Sequence, residues 1–232
     1  MSKNKVVISI GGSILVPGND DSAFMKRLAD LIVRLKDEVQ MVIVCGGGKI
    51  ARYYTRTSAA LGADTGVQDL LGIGVTRLNA ELLRLALGDA AVPGLPLTAE
   101  EASAKSVPGR VVVMGGTVPG HTTDAVAAMV AREMGAERIV NATSVDAVYS
   151  SDPRSDGDAV RYTELTIAQL KELVYDDHGA GRSSVFDPLG VRIATEERID
   201  ISVVNGRDLE DLGNAILGNR INGTLIDSNR KG

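Results

Sequence analysis

Val111-Val112-Val113-Met114, then Gly115-Gly116-Thr117-Val118-Pro119-Gly120-His121-Thr122-Thr123-Asp124, then Ala125-Val126-Ala127-Ala128-Met129-Val130-Ala131, is the stretch from which the fold is read. The first four residues are apolar and mostly β-branched, as a buried strand requires. The last seven favour helix, and Asp124 stands just before them. The loop between them joins the carboxyl end of a strand to the amino end of a helix. Open α/β sheets keep ligands there, because unpaired N–H groups and the helix dipole favour an anion. The glycines admit close backbone approach, three threonines offer hydroxyls, and one carboxylate stands at the helix mouth. These parts suit a phosphate carrier. Taken alone, they also describe a long strand–helix loop with Asp124 as an ordinary N-cap.

Upstream, the same order of strand, glycines and helix occurs twice. Residues 5–10 form a short apolar run that stops at Gly11-Gly12-Ser13. From Ser22 to Lys36, Phe24, Met25, Leu28, Leu31, Ile32 and Leu35 recur at helical spacing. Val39 to Cys45 reads as the second buried strand, ending at Gly46-Gly47-Gly48-Lys49, after which Ile50 to Leu61 reads helical. Neither the P-loop pattern nor a Gly-x-Gly-x-x-Gly fingerprint is present. Three βα junctions (11–13, 46–49 and 115–124) on one edge of a parallel sheet would make a phosphate-binding floor. Lys49 and Arg52 lie three apart on the first helical turn, placed to neutralise charge in phosphoryl transfer or simply to be solvated.

Residues 64–87 carry Asp69-Leu70-Leu71-Gly72 followed by a Leu-rich helix with Thr76, Arg77 and Asn79 near its start. Asp69 has the chemistry to accept hydrogen bonds from a ribose diol, or to serve as a cap. Ala91–Leu97, with two prolines, reads as an edge strand or loop, and Ala99–Ala104 as a helical turn. Arg138–Thr143 is a further strand, followed by a polar loop in which Asp152-Pro153 marks a turn. Leu165–Val174 reads as a helix capped by Thr163 or Thr166, and 176–184 as a polar surface loop. Val185–Ile199 is helical with Pro188 at its first position, and Ile201–Val204, Leu209–Leu217 and 223–226 alternate strand, helix, strand. Such alternation predicts an α/β fold with a mostly parallel sheet covered on both faces.

Composition bounds the function. The chain has 232 residues, net charge −5 and no Lys/Arg cluster. Aromatic residues make up 3% of it, so it lacks both the basic surface and the stacking platform of a nucleic-acid binder. A single cysteine, Cys45, excludes an internal disulfide, and with two histidines it argues against a structural zinc site. No segment reaches the roughly 18 apolar residues of a membrane span. The run 6–10 is broken by glycines before any cleavage site, so it does not read as a secretory signal. The expectation is a cytoplasmic protein with neither a membrane nor a nucleic acid polymer as partner.

The ordered set Ile10-Gly11-Gly12-Ser13, Gly46-Gly47-Gly48-Lys49-Ile50-Ala51-Arg52, Asp69-Leu70-Leu71-Gly72, Gly116-Thr117 to Thr123-Asp124, and Val145-Asp146-Ala147-Val148-Tyr149-Ser150-Ser151-Asp152-Pro153 resembles the amino acid kinase superfamily. Within it the pattern is most similar to the uridylate (UMP) kinases of the archaeal type. The resemblance implies a three-layer αβα sandwich forming a single domain over 1–232. About 1–134 would bind the acceptor and about 135–232 would bind ATP. The implied activity is phosphoryl transfer from ATP to UMP, with Mg²⁺ carried on ATP, in pyrimidine nucleotide biosynthesis. The implied assembly is a homohexamer.

By resemblance, Gly11, Gly12, Ser13, Gly48 and Arg52 would hold the ATP phosphates, and Thr143, Tyr149 and Asp152 the adenosine part. Gly47, Asp69, Thr117, Val118, Pro119, Gly120, His121, Thr122 and Thr123 would form the UMP site. Asp124 would orient cationic groups at the transfer centre, with Arg52 and Lys49 as the cations. No protein metal ligand is implied. Two departures stand out. Many superfamily members carry a lysine where this chain has Ser9, a lost cation for which Lys49 is the candidate replacement, and Ala147 replaces the usual glycine. An isopentenyl phosphate kinase would need a histidine after the second glycine cluster, where Lys-Ile-Ala-Arg stands. Acylamino acid kinases would need a carboxylate-binding acceptor site. A nucleotide storage or regulatory protein on the same fold is the non-enzymatic alternative.

Overall fold

The computed structural model describes residues 4–18, 22–153, 155–175 and 186–228. Its centre is a sheet in the order β3-β2-β1-β4-β8-β9-β7. These strands are β1 (Lys5–Ile10), β2 (Gln40–Cys45), β3 (Val111–Met114), β4 (Arg138–Thr143), β7 (Glu164–Thr166), β8 (Asp200–Asn205) and β9 (Thr224–Asp227). A separate two-stranded ribbon pairs β5 (Val148–Tyr149) with β6 (Arg161–Tyr162). The helices are α1 (Gly12–Leu15), α2 (Ser22–Leu35), α3 (Gly48–Ala60), α4 (Thr65–Leu87), α5 (Ala99–Lys105), α6 (Thr123–Met134), α7 (Ile167–Tyr175), α8 (Pro188–Glu197) and α9 (Leu209–Leu217).

The near-continuous apolar runs of β1, β2 and β3 are explained by burial on both sides. Val6, Ile8 and Ile10 face a core formed with α2, α4 and α9. Val7, Val42 and Val112 face a second core built with α5, α6, α7 and α8. That is the three-layer sandwich, and parallel strands require it because each face must be covered. Ala125, Ala127, Ala128 and Ala131 are buried, so α6 lies flat on the sheet without bulk between them. Pairing is parallel from β3 through β8, while β9 runs antiparallel to β8.

The chain winds outward from β1 to β2 and β3, then returns to lay β4 on the other side of β1. Strand order therefore reverses at β1, and the crevice beyond the carboxyl ends of β1 and β4 is where such sheets bind ligands. The sheet is continuous across the division near residue 135.

Several expectations are corrected. The N-cap of α6 is Thr122, whose hydroxyl accepts from the Ala125 N–H, so Asp124 lies inside the first turn. Asp69-Leu70-Leu71-Gly72 lies within the long α4, capped at Asp64, and Thr76, Arg77 and Asn79 fall at its middle. Gly72 and Gly74 cost about 1 kcal/mol each in a helix interior, and packing of α4 on α3 overrides them. Gly11-Gly12-Ser13 continues into the short α1 rather than an open turn. Leu165 belongs to β7, and Thr166 caps α7 by accepting from the Gln169 N–H. The polar loop read at 176–184 lies outside the described residues. Cys45 is fully buried, and burial pushes its thiol far above the ordinary range, as expected of a packing residue.

Candidate active site

A cleft of about 1120 Å³ opens at the reversal point. Its floor is built by glycines. The Gly11 N–H donates to the Ala142 carbonyl at 2.9 Å and the Gly46 N–H to the Ile10 carbonyl at 2.8 Å, so both turns continue the ladders of β1. They then pack backbone to backbone. A Cβ on Gly12 would lie 2.3 to 2.5 Å from the main chain of Gly46, Gly47 and Gly48. Gly48 also has φ +62, the left-handed region that side chains rarely adopt. Gly47 is the N-cap of α3, where no side chain caps the helix. The amino ends of α1 and α3 meet here, and free helix-start N–H groups with aligned dipoles attract anions.

Over this floor stands Asp124. Its Oδ1 accepts from the buried Ser9 hydroxyl at 2.7 Å. Loss of solvation raises the carboxyl from 3.8 to about 6; the Ser9 hydrogen bond opposes the rise and the nearby Asp187 adds to it. Ser9 and Asn141 are directly paired across β1 and β4, and both line the cleft. Each interrupts the buried apolar run of its strand, Val6–Ile10 in β1 and Ile139–Ala142 in β4. Ser9 stands where many superfamily members carry a lysine, and Asn141 belongs to none of the expected site sets; polarity inside a buried strand is the sequence signal both carry. Arg52 reaches the same floor, its Nη2 lying 3.4 Å from the Ser13 Oγ.

Thr143, Tyr149 and Asp152 line the other end of the cleft. The Thr143 hydroxyl accepts from the Val145 N–H, and the Tyr149 hydroxyl donates to Asp146 at 2.9 Å. The expected ATP set of Gly11, Gly12, Ser13, Gly48, Arg52, Thr143, Tyr149 and Asp152 thus shares one cavity with Gly47, Thr123 and Asp124.

The rest of the expected acceptor set gathers beside it. Asp69 on α4 accepts from the Gly120 N–H at 2.8 Å, fastening the loop 115–122 to that helix across 51 residues of sequence. Thr117 and His121 are partly buried, while Val118, Pro119, Gly120 and Thr122 are exposed. The His121 Nδ1 is buried without a hydrogen-bond partner among the described residues. The Thr122 hydroxyl donates to Asp187 at 2.7 Å, and Asp187 also caps α8 through the N–H groups of Leu189 and Gly190. Asp187 therefore ties the loop 115–122 to the second half of the chain, a role no local pattern announced. Lys49 is exposed on the first turn of α3 and is not among the residues lining the cleft.

Known proteins share this chain's sequence pattern and its fold. A profile of the amino acid kinase family matches residues 4–205. The uridylate kinase of Methanosarcina barkeri is 44% identical over 204 residues, 88% of this chain and 87% of that protein. The uridylate kinase of Methanocella arvoryzae is 44% identical over 223 residues, 96% of this chain and 99% of that one. Among solved structures, uridylate kinase from Archaeoglobus fulgidus superposes with a TM-score of 0.85 at 41% identity, covering 96% of this chain and 99% of that one. UMP kinase from Bacillus anthracis gives a TM-score of 0.77 at 25% identity, covering 98% and 97%.

Proposed function

The chain belongs to the amino acid kinase family, and on that premise we propose that it is a kinase transferring the γ-phosphoryl group of ATP to UMP, yielding UDP and ADP. The observation that carries this reading is the junction at Thr123–Asp124. There a cleft with a glycine floor, also lined by Thr143, Tyr149 and Asp152, meets a separate loop fastened to Asp69. Two anions have to be brought end to end, and the arrangement provides for both.

In-line transfer asks little covalent chemistry of the protein; positioning and charge stabilisation supply the rate. The N–H groups of the two glycine turns and Arg52 hold the phosphates. Asp124 orients the cations around them rather than acting as a base, because a UMP phosphate is already largely ionised near pH 7. Tyr149 and Asp152 flank the nucleoside of ATP, and Thr117 to Thr123 with Asp69 hold UMP. Among the described residues the cleft offers carboxylates at Asp124, Asp152 and Glu172 and one cation, Arg52. These carboxylates do not group into a metal site of their own among the described residues; a Mg²⁺ ion would arrive on ATP, held chiefly by its phosphates. When bound, the ion would neutralise charge on the β- and γ-phosphates.

The experiment that tests the function is ADP release with Mg-ATP and UMP, CMP, dUMP, acetylglutamate, aspartate and isopentenyl phosphate as acceptors. Turnover with UMP well above the rest is expected. Tight ATP binding without turnover of any acceptor would replace the kinase with a storage or sensor protein.

Lys49 is kept as the second cation, its flexible four-carbon stem rooted one turn from Arg52. Lys49→Ala is expected to lower kcat by about tenfold or more while UMP affinity stays unchanged. An unchanged kcat would remove Lys49 from the mechanism.

A homo-oligomer, a hexamer as in the family, is supported by the outer face of α3 and α4. Leu71, Leu78, Leu82 and Leu85 run along α4 at spacings of seven, four and three, and Leu78 is 68% exposed. Tyr53 of α3 and Leu61 at its C-cap add to the apolar surface, and a patch of this kind is rarely left bare. Leu78→Glu is expected to shift the sedimentation coefficient toward the monomer, and an unchanged value would dismiss this face. The proposed setting is pyrimidine nucleotide biosynthesis in the cytoplasm; among the described residues no helix is long and apolar enough to cross a membrane.

A further inference from the structure

Over little more than one turn at the middle of α4, three side chains reach out to hold loops of the site. The Thr76 hydroxyl donates to the Ile73 carbonyl at 2.6 Å and accepts from the Gly116 N–H at 2.7 Å. Arg77 donates twice, from Nε to the Gly116 carbonyl at 3.1 Å and from Nη2 to the Thr117 carbonyl at 3.0 Å. Asn79 Nδ2 donates to the Gly46 carbonyl at 2.8 Å. The contact is tight, since a Cβ on Gly115 would lie 2.7 Å from the Arg77 backbone nitrogen.

We propose that Arg77 is a positioning residue for the acceptor nucleotide, acting through the two carbonyls it grips. The reasoning follows from peptide geometry. In a planar trans peptide the C=O of one residue and the N–H of the next point in opposite directions. Drawing the carbonyls of Gly116 and Thr117 onto the guanidinium therefore turns the N–H groups of Thr117 and Val118 away from α4. Neither N–H donates a hydrogen bond among the described residues. Pro119 has no N–H, and that of Gly120 is already taken by Asp69. The free backbone donors of the segment 117–120 are thus two adjacent amides, aimed by one side chain that does not itself meet the substrate.

A guanidinium suits this task because its planar fork presents two donors in fixed relation; an ammonium can satisfy only one carbonyl at full strength. Thr76 secures the preceding peptide, so the entry of the loop is held at three points while Asp69 holds its exit.

This inference rests on the UMP kinase reading, and its test separates the two. Arg77→Met and Arg77→Lys are compared with the wild type for turnover with Mg-ATP and UMP and for thermal unfolding. Arg77→Met should raise the KM for UMP about tenfold or more, the scale of a small misplacement of binding groups. The KM for ATP should stay within about twofold, and Arg77→Lys should recover part of the loss. A KM for UMP near the wild-type value, or an equal rise for both substrates, would assign Arg77 to general packing. Wild-type protein inert toward UMP would overturn the kinase reading itself, and this inference with it. Should Arg77→Met fail to fold, amide exchange in the wild type decides. UMP must slow exchange at Thr117 and Val118 where an unreactive ATP analogue does not, and equal rates with and without UMP would refute the proposal.

Discussion

Asp124→Asn is expected to lower kcat by about 10²- to 10³-fold, the range for loss of one preorganised charge at a transfer centre, and at the same time to make the folded protein more stable at pH 7. The two effects share a cause. The wild-type carboxyl is raised from 3.8 to about 6 because it stands in a poorly solvated crevice beside Asp187, and the single hydrogen bond from the Ser9 hydroxyl only partly offsets the rise. Between those two values the folded state binds more protons than the unfolded state. Stability therefore falls as pH rises through that window, and the penalty is complete above about pH 6. Its ceiling is about 3 kcal/mol at roughly 1.4 kcal/mol per unit, reduced by whatever water fills the open cleft. An asparagine keeps an oxygen for the Ser9 hydroxyl and carries no charge, so the penalty disappears. Urea unfolding at pH 4, 5, 6 and 7 should show the two proteins converging at the acid end and diverging upward. A variant less stable than the wild type at pH 7 would show that Asp124 is a structural anchor instead.

Activity should carry the same signature. The UMP phosphate and Asp124 both ionise near pH 6, so wild-type kcat/KM should fall below that pH with a slope approaching two. In Asp124→Asn only the slope of one from the phosphate should remain. Equal slopes would mean that the carboxylate is not required as an anion.

What the sequence disclosed and what it hid divide along a physical line. Strand, glycine and helix order is local, and it was enough to place β1, β2, β3 and α6 and to predict that their junctions share an edge. Features decided by distant partners were not legible. Both Thr122 and Asp124 are good N-cap types, and nothing nearby chooses between them. Thr122 takes the cap while its hydroxyl bonds Asp187, 65 residues away, and Asp124 is drawn inward to Ser9, 115 residues away. Gly72 looked like the last residue before a helix, yet tertiary packing carries α4 through it and through Gly74. Thr76, Arg77 and Asn79 stood out near that helix start, but their partners lie 33 to 40 residues off and no local pattern points to them. The ribbon of β5 and β6 escaped because two-residue strands carry too few side chains to show a period of two.

The other large effect falls on the floor. Gly12→Ala is expected to destabilise the fold by about 3 kcal/mol or more, the scale of overpacking against unyielding neighbours, and to abolish measurable ATP binding. The neighbours cannot give way, because the atoms that a Cβ would strike at 2.3 to 2.5 Å are the main chain of Gly46, Gly47 and Gly48. Relief would require the second turn to move, carrying with it the amino end of α3 and Arg52. Gly48 offers no slack, since its own Cβ position lies 2.5 Å from the Gly12 carbonyl carbon and its φ is +62. Gly11→Ala is the matched control, one residue away in the same turn: there a Cβ meets nothing closer than the Ala142 carbonyl oxygen at 3.4 Å, ordinary contact. Gly62→Ala controls for backbone strain alone. Its φ is +88 with open space around it, so it should cost about 1 kcal/mol and leave ATP binding intact. If Gly12→Ala unfolds with the wild-type midpoint and binds ATP as well as Gly11→Ala does, the two turns are not interlocked, and the phosphate floor would have to be sought among side chains instead of backbone.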